Sequence, residues 1–172
     1  MKTQKIKIIS TLFVSVFLLF TAAGASAEEG AVRFSNKAFK QVINKKADGG
    51  AEYDYVEPGL VLPGDIILYE ITFENISDKD ISNIVINNPI ANNSSYRADS
   101  AAGNNTEITF SVDGKNFSSP GQLTVKDRTG KTWKAKPEDY TAIRWVYKKV
   151  LKPGEKGKVT YKTMIRKTVA ED

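Results

Sequence analysis

Pro63-Gly64-Asp65-Ile66-Ile67-Leu68-Tyr69-Glu70-Ile71-Thr72-Phe73-Glu74-Asn75 decides the fold class. The Pro-Gly pair marks a turn. Ile67, Tyr69, Ile71 and Phe73 then share one parity, and Glu70, Thr72 and Glu74 the other. Successive side chains of a strand point to opposite faces, so the stretch reads as a strand with one buried and one wet face. It ends at Asn75, where the polar turn Ser77-Asp78-Lys79-Asp80 begins.

The same alternation recurs on both sides. Upstream, Val32, Phe34, Ala38, Val42 and Ile43 lie among lysines, where a helix is possible but Asn36, Asn44 and the β-branched residues favour an irregular first strand. Asp48-Gly49-Gly50 is a turn, and Tyr53, Tyr55 and Val56 follow, so 31–57 is expected to form a hairpin. Downstream, Ile81–Ile86 reads as a strand stopped by Asn87-Asn88-Pro89, because proline cannot donate to a ladder. Residues 91–106 read as a polar surface loop with a short strand around Tyr96.

Ile108, Phe110 and Val112 alternate with Thr109 and Ser111, and Asp113-Gly114 matches the type I′ hairpin pair. Leu123-Thr124-Val125 and Thr132-Trp133 flank the turn Asp127-Arg128-Thr129-Gly130. Lys136–Tyr140 reads as a loop or single helical turn. Ile143, Trp145 and Tyr147 alternate with Arg144 and Lys148. A second proline turn, Lys152-Pro153-Gly154-Glu155, leads to Val159, Tyr161, Thr163 and Ile165. No amphipathic stretch of helical length competes with these segments.

The expected fold class is therefore all-β, an antiparallel β-sandwich of two sheets packed on their apolar faces. The expected core is Ile67, Tyr69, Ile71, Phe73, Ile84, Ile86, Ile108, Phe110, Val112, Ile143, Trp145, Val159, Tyr161 and Ile165. The lysines of the last strand, 157–166, read as protection of a sheet edge.

The first 27 residues read as a cleavable signal peptide. Lys2, Lys5 and Lys7 precede the almost unbroken apolar run Ile8–Phe20, and Ala25-Ser26-Ala27 gives a small-x-small cleavage site. The run falls short of the roughly 20 residues that span a bilayer. Residues 28–172 are then a single domain, exported to the periplasm, the cell surface or the medium, with no stable membrane insertion after cleavage. Three of the 25 basic residues lie in the leader, which leaves 22 against 20 acidic ones. They are scattered among acids, so nucleic acid is not an expected partner.

The sequence has no His and no Cys. Histidine-based acid–base catalysis, Ser-His-Asp and Cys-His nucleophiles and ordinary zinc sites are thereby excluded. The carboxylate pairs Asp78/Asp80 and Glu138/Asp139 read as solvated turn residues. Asp78, Asp80, Asn87, Asn88, Asn92 and Asn93 carry oxygen atoms of the kind calcium takes, but without the spacing of an EF-hand loop. The Asn-x-Ser/Thr patterns at Asn75, Asn93, Asn104 and Asn116 read as chance matches in Asn/Ser-rich loops. No catalytic residue and no cofactor is expected. Trp133, Tyr140 and Tyr96 fall outside the clean alternation. They are the candidate contacts for a glycan or protein partner, weighed against simple packing of loops onto the sandwich.

Six segments in order resemble the bacterial conserved repeat domain family, catalogued as domain of unknown function 11. They are Pro63-Gly64-Asp65; Tyr69-x-Ile71-x-Phe73-x-Asn75; Asn83-x-Val85-Ile86-x-Asn88-Pro89; Phe110–Phe117; Ile143-Arg144-Trp145 after Asp139-Tyr140; and Leu151-x-Pro153-Gly154-Glu155. The resemblance covers about residues 31–168. It implies an immunoglobulin-like sandwich in an exported or surface-associated protein, without catalytic residues. Many members are long multi-repeat proteins, whereas this chain carries one unit. The expected role is structural or interaction-mediating, with envelope or surface proteins or glycans as partners. The alternative is a glycan- or peptide-binding module that uses the loop aromatics.

Overall fold

Alternating segments of this length form strands when each has a partner ladder and a face to bury, and most of those read above have both. The computed structural model describes residues 30–46 and 49–167, so the leader expected at 1–27 lies outside the described residues. The strands are β1 (Val32–Lys45), β2 (Ala51–Val56), β3 (Ile66–Asn75), β4 (Val85–Pro89), β5 (Ser94–Tyr96), β6 (Ala102–Gly103), β7 (Thr106–Ser111), β8 (Thr124–Lys126), β9 (Thr132–Lys134), β10 (Ala142–Tyr147) and β11 (Lys156–Ile165). Pro120–Gln122 and Pro137–Asp139 are single 3-10 turns.

All pairings are antiparallel. The larger sheet runs β2-β1-β3-β11-β5, with β6 also on β11; the smaller runs β4-β10-β7; β8 and β9 form a separate hairpin. The two sheets face each other through their apolar parity. Ile71 and Phe73 of β3 and Val159 and Tyr161 of β11 are buried in one cluster with Ile86, Phe110, Ile143, Trp145 and Tyr147 of the smaller sheet, and Ile67 of β3 is buried as well. Aromatic contacts cross the gap: Phe73 meets Tyr147 edge-on at 5.3 Å, and Trp145 lies 5.9 Å from Tyr161. The chain is thus an all-β antiparallel sandwich, and Pro63–Asn75 forms the turn and the middle strand of the larger sheet. Gly64 makes that turn at φ +94, a conformation glycine adopts without a Cβ penalty.

Most of the expected core is buried. Tyr69, Ile108 and Val112 are half-buried and packed on it, and Ile165 is half-buried at the end of β11. Leu151, Ile90, Leu123, Tyr96, Tyr140 and Tyr147 join it in the interior.

Three expectations change. First, Ile81–Ile86 is not one strand. Ile81 makes an isolated bridge to Leu151, and Asn83 at φ +57 breaks the run before β4. Pro89 is the last residue of β4, an edge strand, where its missing N–H costs no ladder bond. Second, Asp113-Gly114 is not a type I′ pair, since only Gly114 of the two has positive φ. The Asp113 carboxylate instead accepts from the N–H groups of Lys115 and Asn116, both at 2.8 Å. Third, β11 is not an edge. Its lysines point outward from an interior strand, where Lys156 meets Glu74 at 3.5 Å and Lys158 meets Glu70 at 3.1 Å. Such exposed pairs contribute about 0–1 kcal/mol each, so the ladder and core hold β11 in place.

Gly157 has a packing reason. It pairs with Phe73 across β11 and β3, and a Cβ built there would stand 2.0 Å from Phe73 Cζ. Gly157→Ala is expected to cost about 1–3 kcal/mol by overpacking. A urea melt checks this, and Phe73→Leu in the same chain should recover part of the loss. Equal stability of Gly157→Ala and wild type would refute the packing account.

Candidate functional site

The three aromatics singled out in the sequence separate into two environments. Tyr96 and Tyr140 are each only 5% exposed. With Phe110 they form a closed aromatic cluster, with centroids 4.7 Å apart for Phe110–Tyr140, 5.0 Å for Tyr96–Phe110 and 5.8 Å for Tyr96–Tyr140. The Tyr96 hydroxyl accepts from the N–H of Ala101 at 3.0 Å and of Ser100 at 3.2 Å, which binds the loop after β5 to the sandwich. These two rings are therefore not exposed stacking platforms, and their place as partner contacts is corrected to loop packing. Tyr140 still lines a cleft of about 390 Å³ with Ile90, Val125, Glu138 and Arg166.

Trp133 is different. It is 42% exposed and sits opposite Val125 in the β8–β9 ladder. The hairpin from Leu123 to Lys136 carries Lys126, Arg128, Lys131, Lys134 and Lys136 against one carboxylate, Asp127. Asp127 is occupied by its own turn, accepting from the N–H and Oγ1 of Thr129 and the N–H of Lys131. None of the five cations makes an ion pair among the described residues.

A second exposed surface was not singled out by sequence. β1 pairs with β3 over Val32–Lys40 and with β2 over Lys40–Lys45, so its far end leaves the sandwich with β2 as sole partner. Every residue of β2 is exposed. Ile43 opposes Tyr53 in this ladder at 62% and 55% exposure, and Leu60 and Leu62 in the following loop reach 79% and 51%. The hairpin is nonetheless fixed to the sheet. Lys40 Nζ pairs with Asp65 at 2.7 Å and donates to the Leu60 carbonyl at 3.2 Å. The Lys40 ammonium and the Leu62 N–H hold the Asp65 carboxyl below its usual range. Lys162 from β11 donates to Gln41 and to the Tyr55 hydroxyl and lies 5.0 Å from the Tyr55 ring centroid. The legible signal was that Tyr53, Tyr55 and Val56 use both parities of one strand.

The remaining polar candidates are engaged locally. Asn87 Oδ1 accepts from Arg144 Nε at 2.7 Å, and Asn88 Nδ2 donates to the Tyr161 hydroxyl at 2.6 Å. Asp139 Oδ2 accepts from the Lys136 N–H at 2.8 Å. Asp78 and Asp80 are exposed in their turn. Among the described residues no three acidic side chains cluster in a way that would hold a metal ion, and no helix is long and apolar enough to cross a membrane.

Burial pushes the Tyr161 hydroxyl above the ordinary phenol range, helped by Tyr69 stacked on it at 4.9 Å; burial raises Tyr69 as well. A phenol whose folded pKa lies above its unfolded value stabilises the fold below about pH 10 and loses that contribution as pH rises through the folded value. In a titration followed by phenolate absorbance and circular dichroism, part of the tyrosine signal is expected to appear only as the fold is lost. Complete ionisation with an unchanged fold would contradict this.

Comparison with family models, with curated proteins and with solved structures yields no match to this chain.

Proposed function

We propose that this chain is an exported, non-enzymatic β-sandwich module that acts through a protein–protein contact in the cell envelope or outside the cell. The observation that carries the reading is the β1–β2 edge, where Ile43, Tyr53 and Val56 on the hairpin and Leu60 and Leu62 in the loop after it are exposed, and where Lys40 ties the hairpin to Asp65. Water is displaced from such a surface when a partner covers it, which is the main favourable term in most association. The basic n-region, apolar run and small-residue cleavage site support export. The absence of His and Cys from the sequence supports a role without histidine-based or thiol chemistry. The resemblance to the conserved repeat domain family points the same way.

A photo-crosslinking residue at position 53 tests the reading in intact exporting cells. Protein adducts are expected there and not from the same probe at exposed position 92. Equal, background labelling at both positions would overturn it.

A second reading has its own observation, the exposed Trp133 on a cationic hairpin. An indole face stacks on sugar rings, and lysines favour anionic ones. Saturable binding on an array of acidic glycans, lost in Trp133→Ala, would favour it.

A further inference from the structure

We infer that the partner of the β1–β2 edge is the β8–β9 hairpin of a second copy of this chain. This rests on the interaction role proposed above and names its partner.

Two surfaces on one chain complement each other. From Ala51 to Glu57 the β2 edge carries Glu52, Asp54 and Glu57 and no cation. Glu52 has one exposed neighbour, Lys46 at 3.4 Å, and Asp54 accepts from Asn44. The β8–β9 hairpin carries five cations, and its single carboxylate is spent on its own turn. Opposite potentials on exposed patches steer encounter and select the partner.

The side-chain order matches too. On β2, Glu52 and Asp54 lie on one face and Tyr53 and Tyr55 on the other. On the hairpin, Lys126 and Lys134 lie on one face, and Trp133 with Val125 on the other. Pairing the outer edge of β9 with the free edge of β2 sets Tyr53 beside Trp133 and one carboxylate beside Lys134, with Lys126 on the same face of the neighbouring strand. A slip of one residue would put charge against ring on both faces, so the alternation selects the register. The contact supplies main-chain bonds to a sheet edge that pairs with no strand on that side among the described residues, the mode of strand addition.

The two surfaces sit at the same end of the sandwich on opposite edges. The hairpin leaves the larger sheet beyond Lys40, next to the start of β3, whereas Val125 packs near Ser94 and Arg166 beside β5. Neither surface therefore satisfies the other within one chain.

Sedimentation velocity over a range of concentrations tests the inference. Association is expected at low ionic strength and is expected to weaken as salt shortens the screening length from about 30 Å to about 3 Å. Lys131→Glu with Lys134→Glu, and separately Glu52→Lys with Asp54→Lys, are each expected to weaken it by about tenfold or more. An equimolar mixture of the two variants is expected to associate again, because each then offers the surface the other needs. All four positions are exposed, and unchanged urea melts confirm that the variants fold. A monomer under all conditions, or association indifferent to both reversals, overturns the inference. Adducts at position 53 distinguish this from failure of the wider reading. An adduct of twice the chain mass supports self-association. Adducts with a different protein overturn the second-copy inference and leave the interaction role standing, and no adduct removes both.

Discussion

Trp145→Ala is expected to lower the stability of the sandwich by about 3–5 kcal/mol. Trp145 is fully buried, flanked in register by Ile86 and Ile108 and packed on Tyr161 across the sheets. The indole N–H has no acceptor among the described residues. The loss therefore comes from vacated volume and lost contacts rather than from a broken hydrogen bond, and Trp145→Phe should cost distinctly less. A domain of this size has about 5–15 kcal/mol in total, so the alanine variant sits near the threshold of folding. Urea denaturation measures it as a lower midpoint at unchanged slope. A midpoint equal to that of wild type would remove Trp145 from the centre of the core.

Asn75→Ala is expected to cost about 2–4 kcal/mol, although the residue looks like an ordinary strand-ending polar group. Asn75 is fully buried. Its Nδ2 donates to the Lys79 carbonyl at 2.7 Å and the Leu151 carbonyl at 2.8 Å. Its Oδ1 accepts from the N–H and Oγ of Ser77 at 2.9 and 2.8 Å. Its own N–H and carbonyl tie to the turn before β11 through Glu155 and Gly154. One amide thus joins the end of β3, the turn after it and the turn opening β11. The Leu151 carbonyl keeps the Ile81 N–H after truncation, so the cost is less than a count of four bonds implies.

Asn75→Asp is the sharper control. It keeps the shape and the acceptor but turns an anion toward two carbonyls. Folding then raises the carboxyl above its unfolded value of about 3.9, and the penalty grows as pH rises through that value. Relative to wild type at the same pH, the aspartate variant should be less destabilised at about pH 4 than at about pH 7. Urea melts at the two pH values check the order, and an equal deficit at both would contradict the proposed network.

The fold was legible because its main strands each bury one face, and period two records that directly. Ile67, Ile71 and Phe73 follow the pattern, as do Ile143, Trp145 and Tyr147. What was not legible depends on distant residues. Tyr96 lies in a polar stretch with no local pattern, and only Phe110 and Tyr140 make its place an interior one. The lysines of β11 look like edge protection until β5 and β6, three and two residues long, are seen to pair with it. The β1–β2 surface failed to show for the opposite reason. Tyr53 and Ile43 have strand-like spacing, but no second layer lies over them, and a sequence does not state where a layer ends.

β1 has one further consequence. Its fourteen residues form one continuous strand that serves the exposed hairpin at one end and the sandwich at the other. A pull on the hairpin along the strand axis would load the whole run of β1–β3 hydrogen bonds together, in shear, instead of opening them one after another. The segment that carries the exposed apolar side chains is thus also a tension member, and a grip on it is mechanically a grip on the whole domain.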